Sequence, residues 1–101
     1  MTDREPLLVL VCGSRTWSRD DIIAEQLARL PRGSTIIHGG ARGADRIAAA
    51  IARKLGLPVE EYPAKWHGRK GVYNPHAGLE RNLVMLDRGP DLVLAFHRDN
   101  S

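Results

Sequence analysis

Three short strand-like runs bordered by glycine, two of them mostly apolar, constrain this chain more than any other feature. They are residues 7–12 before Gly13, residues 34–38 before Gly39, and residues 91–96 after Gly89-Pro90. Runs of five or six such residues are too short to stand as helices and read as strands, the first of them buried on both faces. The stretches between them have helical spacing. Ser18 reads as an N-cap with Asp21 three residues on. Ile22, Ile23, Leu27 and Leu30 then share one helical face, until Pro31 and Gly33 stop the helix. Ile47, Ala48, Ile51 and Leu55 repeat the pattern, with Gly56 at the C-terminal cap. A third helix starts near Gly78 and sets Leu79, Leu83 and Leu86 on its inner face. Residues 58–62 make a weaker strand. Its proline and two glutamates suit a sheet edge. Strands alternating with helices predict an α/β fold. It is a Rossmann-like parallel sheet of about four strands in the order 3-2-1-4, with helices on both faces. At 101 residues the chain reads as a single domain, 1–101.

Composition excludes several classes. With 43% hydrophobic and 27% charged residues the chain is neither disordered nor low in complexity. No apolar run approaches the ~20 residues of a membrane span, and a polar start of mixed charge is no signal peptide. A single cysteine, Cys12, rules out an internal disulfide; at the end of an apolar strand it reads as an inert buried thiol. A reducing, cytoplasmic setting follows as the expectation. His38, His67, His76 and His97 share no ligand spacing, so no metal and no cofactor is expected. The net charge of +3 permits a phosphate-bearing partner without demanding one.

Ligands of wound parallel sheets bind beyond the carboxyl ends of the strands, where the strand order reverses. Three segments should meet there: residues 13–17, residues 39–45, and the long loop 63–77 leading to Arg81-Asn82. In the second segment a strand runs through Gly39, Gly40, Ala41, Arg42 and Gly43 into a helix beginning near Asp45. Glycines let a backbone approach a ligand, and a helix start offers free N–H groups and partial positive charge. The pattern predicts a phosphate or carboxylate cradle, although its spacing matches neither the dinucleotide fingerprint nor the P-loop. Gly13, Ser14 and Arg15 follow the first strand in the same manner, with a hydroxyl and a guanidinium for phosphate. Arg81 is within reach of the same pocket. Asn82 or Asp45 would address a ribose, and Trp17 or Trp66 would stack on a base. Each has a plainer alternative: a helix-dipole acid in Asp45, an exposed cation in Arg81, edge packing for the tryptophans.

Taken as an ordered set, Val11-Cys12-Gly13-Ser14-Arg15, His38-Gly39-Gly40-Ala41-Arg42-Gly43-Ala44-Asp45, Ala64 with Trp66, Arg81-Asn82 and residues 92–96 resemble the SLOG superfamily. That group joins DNA-processing protein A to the lonely-guy phosphoribohydrolases, and the similarity is closest to its small YspA-like branch. The resemblance implies a Rossmann-like sheet and a pocket for a nucleotide or nucleotide-derived ligand, lined by Gly13, Ser14, Arg15, Gly39, Gly40, Arg42, Gly43, Asp45, Arg81 and Asn82. The lonely-guy motif P-G-G-x-G-T-x-x-E meets Ala44 at its threonine and Ile47 at its glutamate, so that glutamate has no counterpart here. The chain also stops before the last helix and strand usual in such folds. Its apolar fourth strand is then uncovered on its outer side, which predicts a homo-oligomer.

The leading functional expectation is binding or sensing of a nucleotide or ribose-phosphate ligand. The first alternative is an N-glycosidic hydrolase with Asp45 and Arg81 as its catalytic pair and Glu80 as a distant second carboxylate. The other is a binder of single-stranded nucleic acid that uses the arginines and the basic loop of Lys65, Arg69 and Lys70. No membrane partner is expected.

Overall fold

The computed structural model describes residues 4–14, 16–40, 43–67 and 71–96. The expected site residues Arg15, Ala41 and Arg42 lie outside them. The element order is β1 (Leu8–Gly13), α1 (Asp20–Ala28), β2 (Thr35–His38), α2 (Ala44–Lys54), β3 (Val59–Glu61), α3 (Ala77–Asp87) and β4 (Leu92–Phe96). The four strands form one sheet in the order β3-β2-β1-β4, all neighbours parallel. Val9 faces Ile36 on one side and Leu92 on the other, and His38 aligns with Glu61. The α/β architecture and the 3-2-1-4 order are as expected from sequence.

Alternation along the strands divides the apolar residues between two layers. Val9, Val11, Ile36 and Phe96 pack with Ile23 and Leu27 of α1 and with Ala44, Ala48 and Ala52 of α2. The alanines recur every four residues, so α2 presents a narrow stripe that lets it lie close to the sheet and to α1. Leu57 closes this layer. Its N–H bonds the Ala52 carbonyl while that of Gly56 bonds Arg53, the Schellman closure that Gly56 predicts. The opposite layer is thin: Leu10, Ile37 and Met85, with Leu8, Cys12 and Tyr62 beside them. Buried Ser34 ties β1 to β2 by accepting from Leu7 N–H and donating to the Pro31 carbonyl. Asp91 ties β1 to β4 through both its backbone and its carboxylate at Leu8.

Two local expectations are corrected. Ser18 does not cap α1. The helix starts at Asp20 after Arg19, with no side-chain cap, because Asp21 is held by the Arg19 guanidinium. Nor do Leu79, Leu83 and Leu86 form the inner face of α3. They are 54–60% exposed, and the buried residues are Ala77 and Met85. Arg81 lies on the same helical face as those two and donates to the Gly39 carbonyl.

Candidate functional site

The two glycine bends meet at the carboxyl end of the sheet. Ser14 N–H donates to the Phe96 carbonyl at 2.8 Å, and Ala44 N–H at the start of α2 donates to the Ser14 carbonyl at 3.2 Å. A Cβ on Gly13 would fall 2.3 Å from the Phe96 oxygen and 2.9 Å from Ala44 Cβ, so glycine is required for this approach. The bends pack directly against each other at this point.

Among the described residues, several main-chain donors of the bends are used inside the molecule. Gly39 N–H bonds an Asp45 carboxylate oxygen at 3.1 Å, and Gly40 N–H bonds His38 Nδ1 at 3.0 Å. Thr16 N–H goes to Ser14 Oγ and Trp17 N–H to the Ser14 carbonyl. Buried N–H groups need such partners. The bends also serve as a scaffold for side chains.

Two guanidiniums are anchored on consecutive carbonyls of that scaffold. Arg81 Nη1 donates to Gly39 O at 2.9 Å, and Arg46 Nε donates to Gly40 O at 3.2 Å. Arg81 Nε also bonds Asn82 Oδ1 at 2.9 Å, so Asn82 serves to orient Arg81. Of the five donors of the Arg81 guanidinium, these bonds use two. The same two arginines line a cavity of about 250 Å³ with Gly39, Gly40, Glu61 and Trp66. A second cavity of about 380 Å³ adjoins it, sharing Glu61, Pro63 and Arg81 and reaching Lys65, Glu80 and Val84. The open space thus lies toward β2 and β3, on the far flank of the second bend from Gly13.

The loop after β3 supplies the aromatic wall. Asn74 N–H bonds the Trp66 carbonyl, and the Asn74 side chain accepts from His76 N–H and donates to Glu80, which secures the entry to α3. Trp66 stacks on Tyr73 with centroids 6.3 Å apart and lies against Gly78, where a Cβ would be 3.2 Å from the indole. Trp17 has a different fate. It packs on Phe96 at 5.5 Å, gives its indole N–H to the Arg19 carbonyl, and does not line the cavity.

The electrostatics are uneven. His38 is buried. Burial pushes its pKa below the ordinary 6.5, against the pull of Asp45 and Glu61 and with a smaller push from Arg53. Since Nδ1 accepts from Gly40, the proton sits on Nε2, which has no partner among the described residues. Burial, with the Asp45 carboxylate, pushes the Cys12 thiol up, away from thiolate chemistry. Asp45 itself is buried and committed to Gly39 N–H. Arg88 at the end of α3 contacts Glu60 and Tyr62, and holds Glu60 below the usual carboxylate range.

The sequence reading therefore brings together Gly39, Gly40, Trp66 and Arg81 around one cavity, with Asp45 and Asn82 supporting them. Gly13, Ser14 and Gly43 lie behind, in the contact between the bends and α2. Arg46 and Glu61 were not anticipated. Arg46 looks like a solvated helix cation and Glu61 like an edge-strand charge. The one available signal was the strand register that sets Glu61 beside His38.

A model of the YspA, cpYpsA-related SLOG family matches residues 7–68, which hold both glycine bends and the loop as far as Trp66. The chain belongs to that family. The chain is also 42% identical over 99 residues to the Gene 61 protein of Mycobacterium phage D29, covering 87% of this chain and 74% of that protein. No solved structure matches. SLOG membership suggests a nucleotide-related role. Among the described residues no helix is long and apolar enough to cross a membrane.

Proposed function

We propose that this SLOG domain binds a nucleotide or nucleotide-derived ribose-phosphate ligand in the cavity beside Gly39 and Gly40. The observation that carries the reading is the pair of guanidiniums, Arg81 and Arg46, each fixed to a glycine carbonyl and both facing the cavity that Trp66 walls. An anchored guanidinium has lost little further freedom when it meets a phosphate, so its charge-assisted bonds are gained at low entropic cost. Trp66 offers a stacking face within the same space. Asp45, the carboxylate required by the hydrolase alternative, is buried and already occupied by Gly39 N–H, which favours binding over turnover. The test is isothermal titration with AMP, ADP, NAD and ADP-ribose. Binding by at least one, weakened tenfold or more in Arg81→Ala, is expected. No heat with any of the four up to millimolar concentration would end the proposal.

The same domain is also proposed to self-associate through α3 and β4. Leu79, Leu83, Val84 and Leu86 of α3 and Val93 of β4 are 49–60% exposed. Half-exposed side chains of this size present on the order of 350 Å² of apolar surface, which is the scale at which patches mark interaction sites. α3 and Val93 lie on the thin side of the sheet, and a second copy with the same leucine face is self-complementary across a two-fold axis. Light scattering at micromolar concentration should show a dimer that Leu83→Glu with Leu86→Glu converts to monomer. A monomeric unmodified protein would refute it.

A further inference from the structure

We infer that Glu61 is the group that selects a ribose diol, so that the cavity takes ribonucleotides and rejects ligands that are anionic throughout. The inference rests on the nucleotide reading above and deepens it.

Glu61 closes β3 at the carboxyl end of the sheet and is exposed. Its carboxylate lies against Gly40: a Cβ there would be 2.7 Å from Glu61 Oε2. Arg81 lies in the same way against Gly39, where a Cβ would be 2.4 Å from Nη1. Neighbouring Cα atoms are only ~3.8 Å apart, so a cationic and an anionic head sit side by side on one dipeptide. Yet Glu61 makes no hydrogen bond or ion pair with Arg81, Arg46 or Lys65 among the described residues. Its neighbour Glu60 behaves in the opposite way and is taken by Arg88 and Tyr62. The glycine at position 40 keeps the space for the Glu61 carboxylate, and its positive φ of 78° independently favours glycine there.

A carboxylate accepts hydrogen bonds and repels anions. A ligand that satisfies both heads must therefore carry an anionic group for the arginines and hydroxyl donors for Glu61. A 5′-nucleotide has these at opposite ends of its sugar: the phosphate and the 2′,3′-diol. A single-stranded DNA segment lacks the 2′-hydroxyl, has its 3′-oxygen esterified, and brings further phosphates toward Glu61, so it fits poorly. Sites built to hydrogen-bond a hydroxyl reject the analogue without it, because the site's polar group is left unpaired.

The experiment is calorimetric titration of the full chain with AMP, 2′,3′-dideoxy-AMP and an oligothymidylate, repeated with Glu61→Gln and Glu61→Asp. The unmodified protein should bind AMP at least tenfold more tightly than the dideoxy compound. Glu61→Gln should erase most of that preference by weakening AMP while dideoxy-AMP changes little, with an unchanged far-ultraviolet spectrum. A preference that survives in both variants overturns the inference and leaves nucleotide binding standing. Equal tightening of both ligands in Glu61→Gln overturns it too, since Glu61 then acts only by repulsion. Oligothymidylate binding as tight as AMP overturns it in favour of a nucleic-acid partner. Absence of any binding removes the underlying nucleotide reading and this inference together.

Discussion

Gly39→Ala separates the anchoring of Arg81 from the presence of its charge. The new methyl carbon would be 2.4 Å from Nη1 and 2.7 Å from the central guanidinium carbon, well inside contact distance. The obstacle is the far end of a flexible side chain and the backbone at Gly39 needs no unusual angle, so the guanidinium withdraws and the main chain stays. A retreat of about 1 Å is enough to break the 2.9 Å bond to the Gly39 carbonyl. Hydrogen bonds to charged groups contribute about 1.5–3 kcal/mol when well buried, and partial exposure reduces this one to about 1 kcal/mol. Urea denaturation followed by circular dichroism should therefore show a small loss of stability. Nucleotide affinity should fall much more, by about 10- to 100-fold, if a positioned charge-assisted contact worth roughly 1.5–3 kcal/mol is lost. Unchanged affinity in Gly39→Ala, alongside a large loss in Arg81→Ala, would refute the claim that the glycine carbonyl positions the arginine.

Three further outcomes follow from the same geometry. Gly13→Ala should destabilise by about 3 kcal/mol or more, since its Cβ meets backbone oxygen and Ala44, whereas Gly89→Ala, with open space around it, should cost about 1 kcal/mol for its positive φ; equal urea midpoints for the two would contradict the packing of the first bend on α2. Asp45→Ala should cost about 2 kcal/mol by orphaning the buried Gly39 N–H, and Asp45→Asn much less; an Asp45→Ala protein as stable as the parent would show the carboxylate to be free for catalysis. His38 has a folded pKa pushed below 6.5, so the unfolded chain binds its proton first as pH falls. The stability that neutral His38 contributes is complete above 6.5 and is lost as pH drops through the lowered value. Protonation also turns Nδ1 from acceptor to donor and breaks its bond to Gly40, so nucleotide affinity should fall in the same range. His38→Asn should lack that dependence in urea titrations run from pH 7.5 to 5; an identical profile would contradict it.

The sheet was legible because its signals are local. Apolar runs bounded by glycine at positions 13 and 39, and the helix closure at Gly56, leave few alternatives, and right-handed crossovers supply the order. The rotation of α3 was not legible. Its leucines are the more apolar side, but Met85 meets the sheet and Arg81 the second bend, and nothing local to α3 encodes those long-range contacts. The two tryptophans show the same limit: each sits in a loop beside basic residues, yet Phe96 captures Trp17 while Trp66 is left at the cavity. Glu61 and Arg46 became site residues only through strand register and helix phase, which place both of them on Gly40.

Amide and indole chemical shifts during titration of the ¹⁵N-labelled chain with AMP test the central claim most directly. The largest changes should fall on Gly39, Gly40, the Arg81 Nε–H and the Trp66 indole N–H, with the Trp17 indole N–H unmoved. Changes confined to α3 and β4, or to Trp17 and the Gly13 bend, would contradict the placement of the ligand.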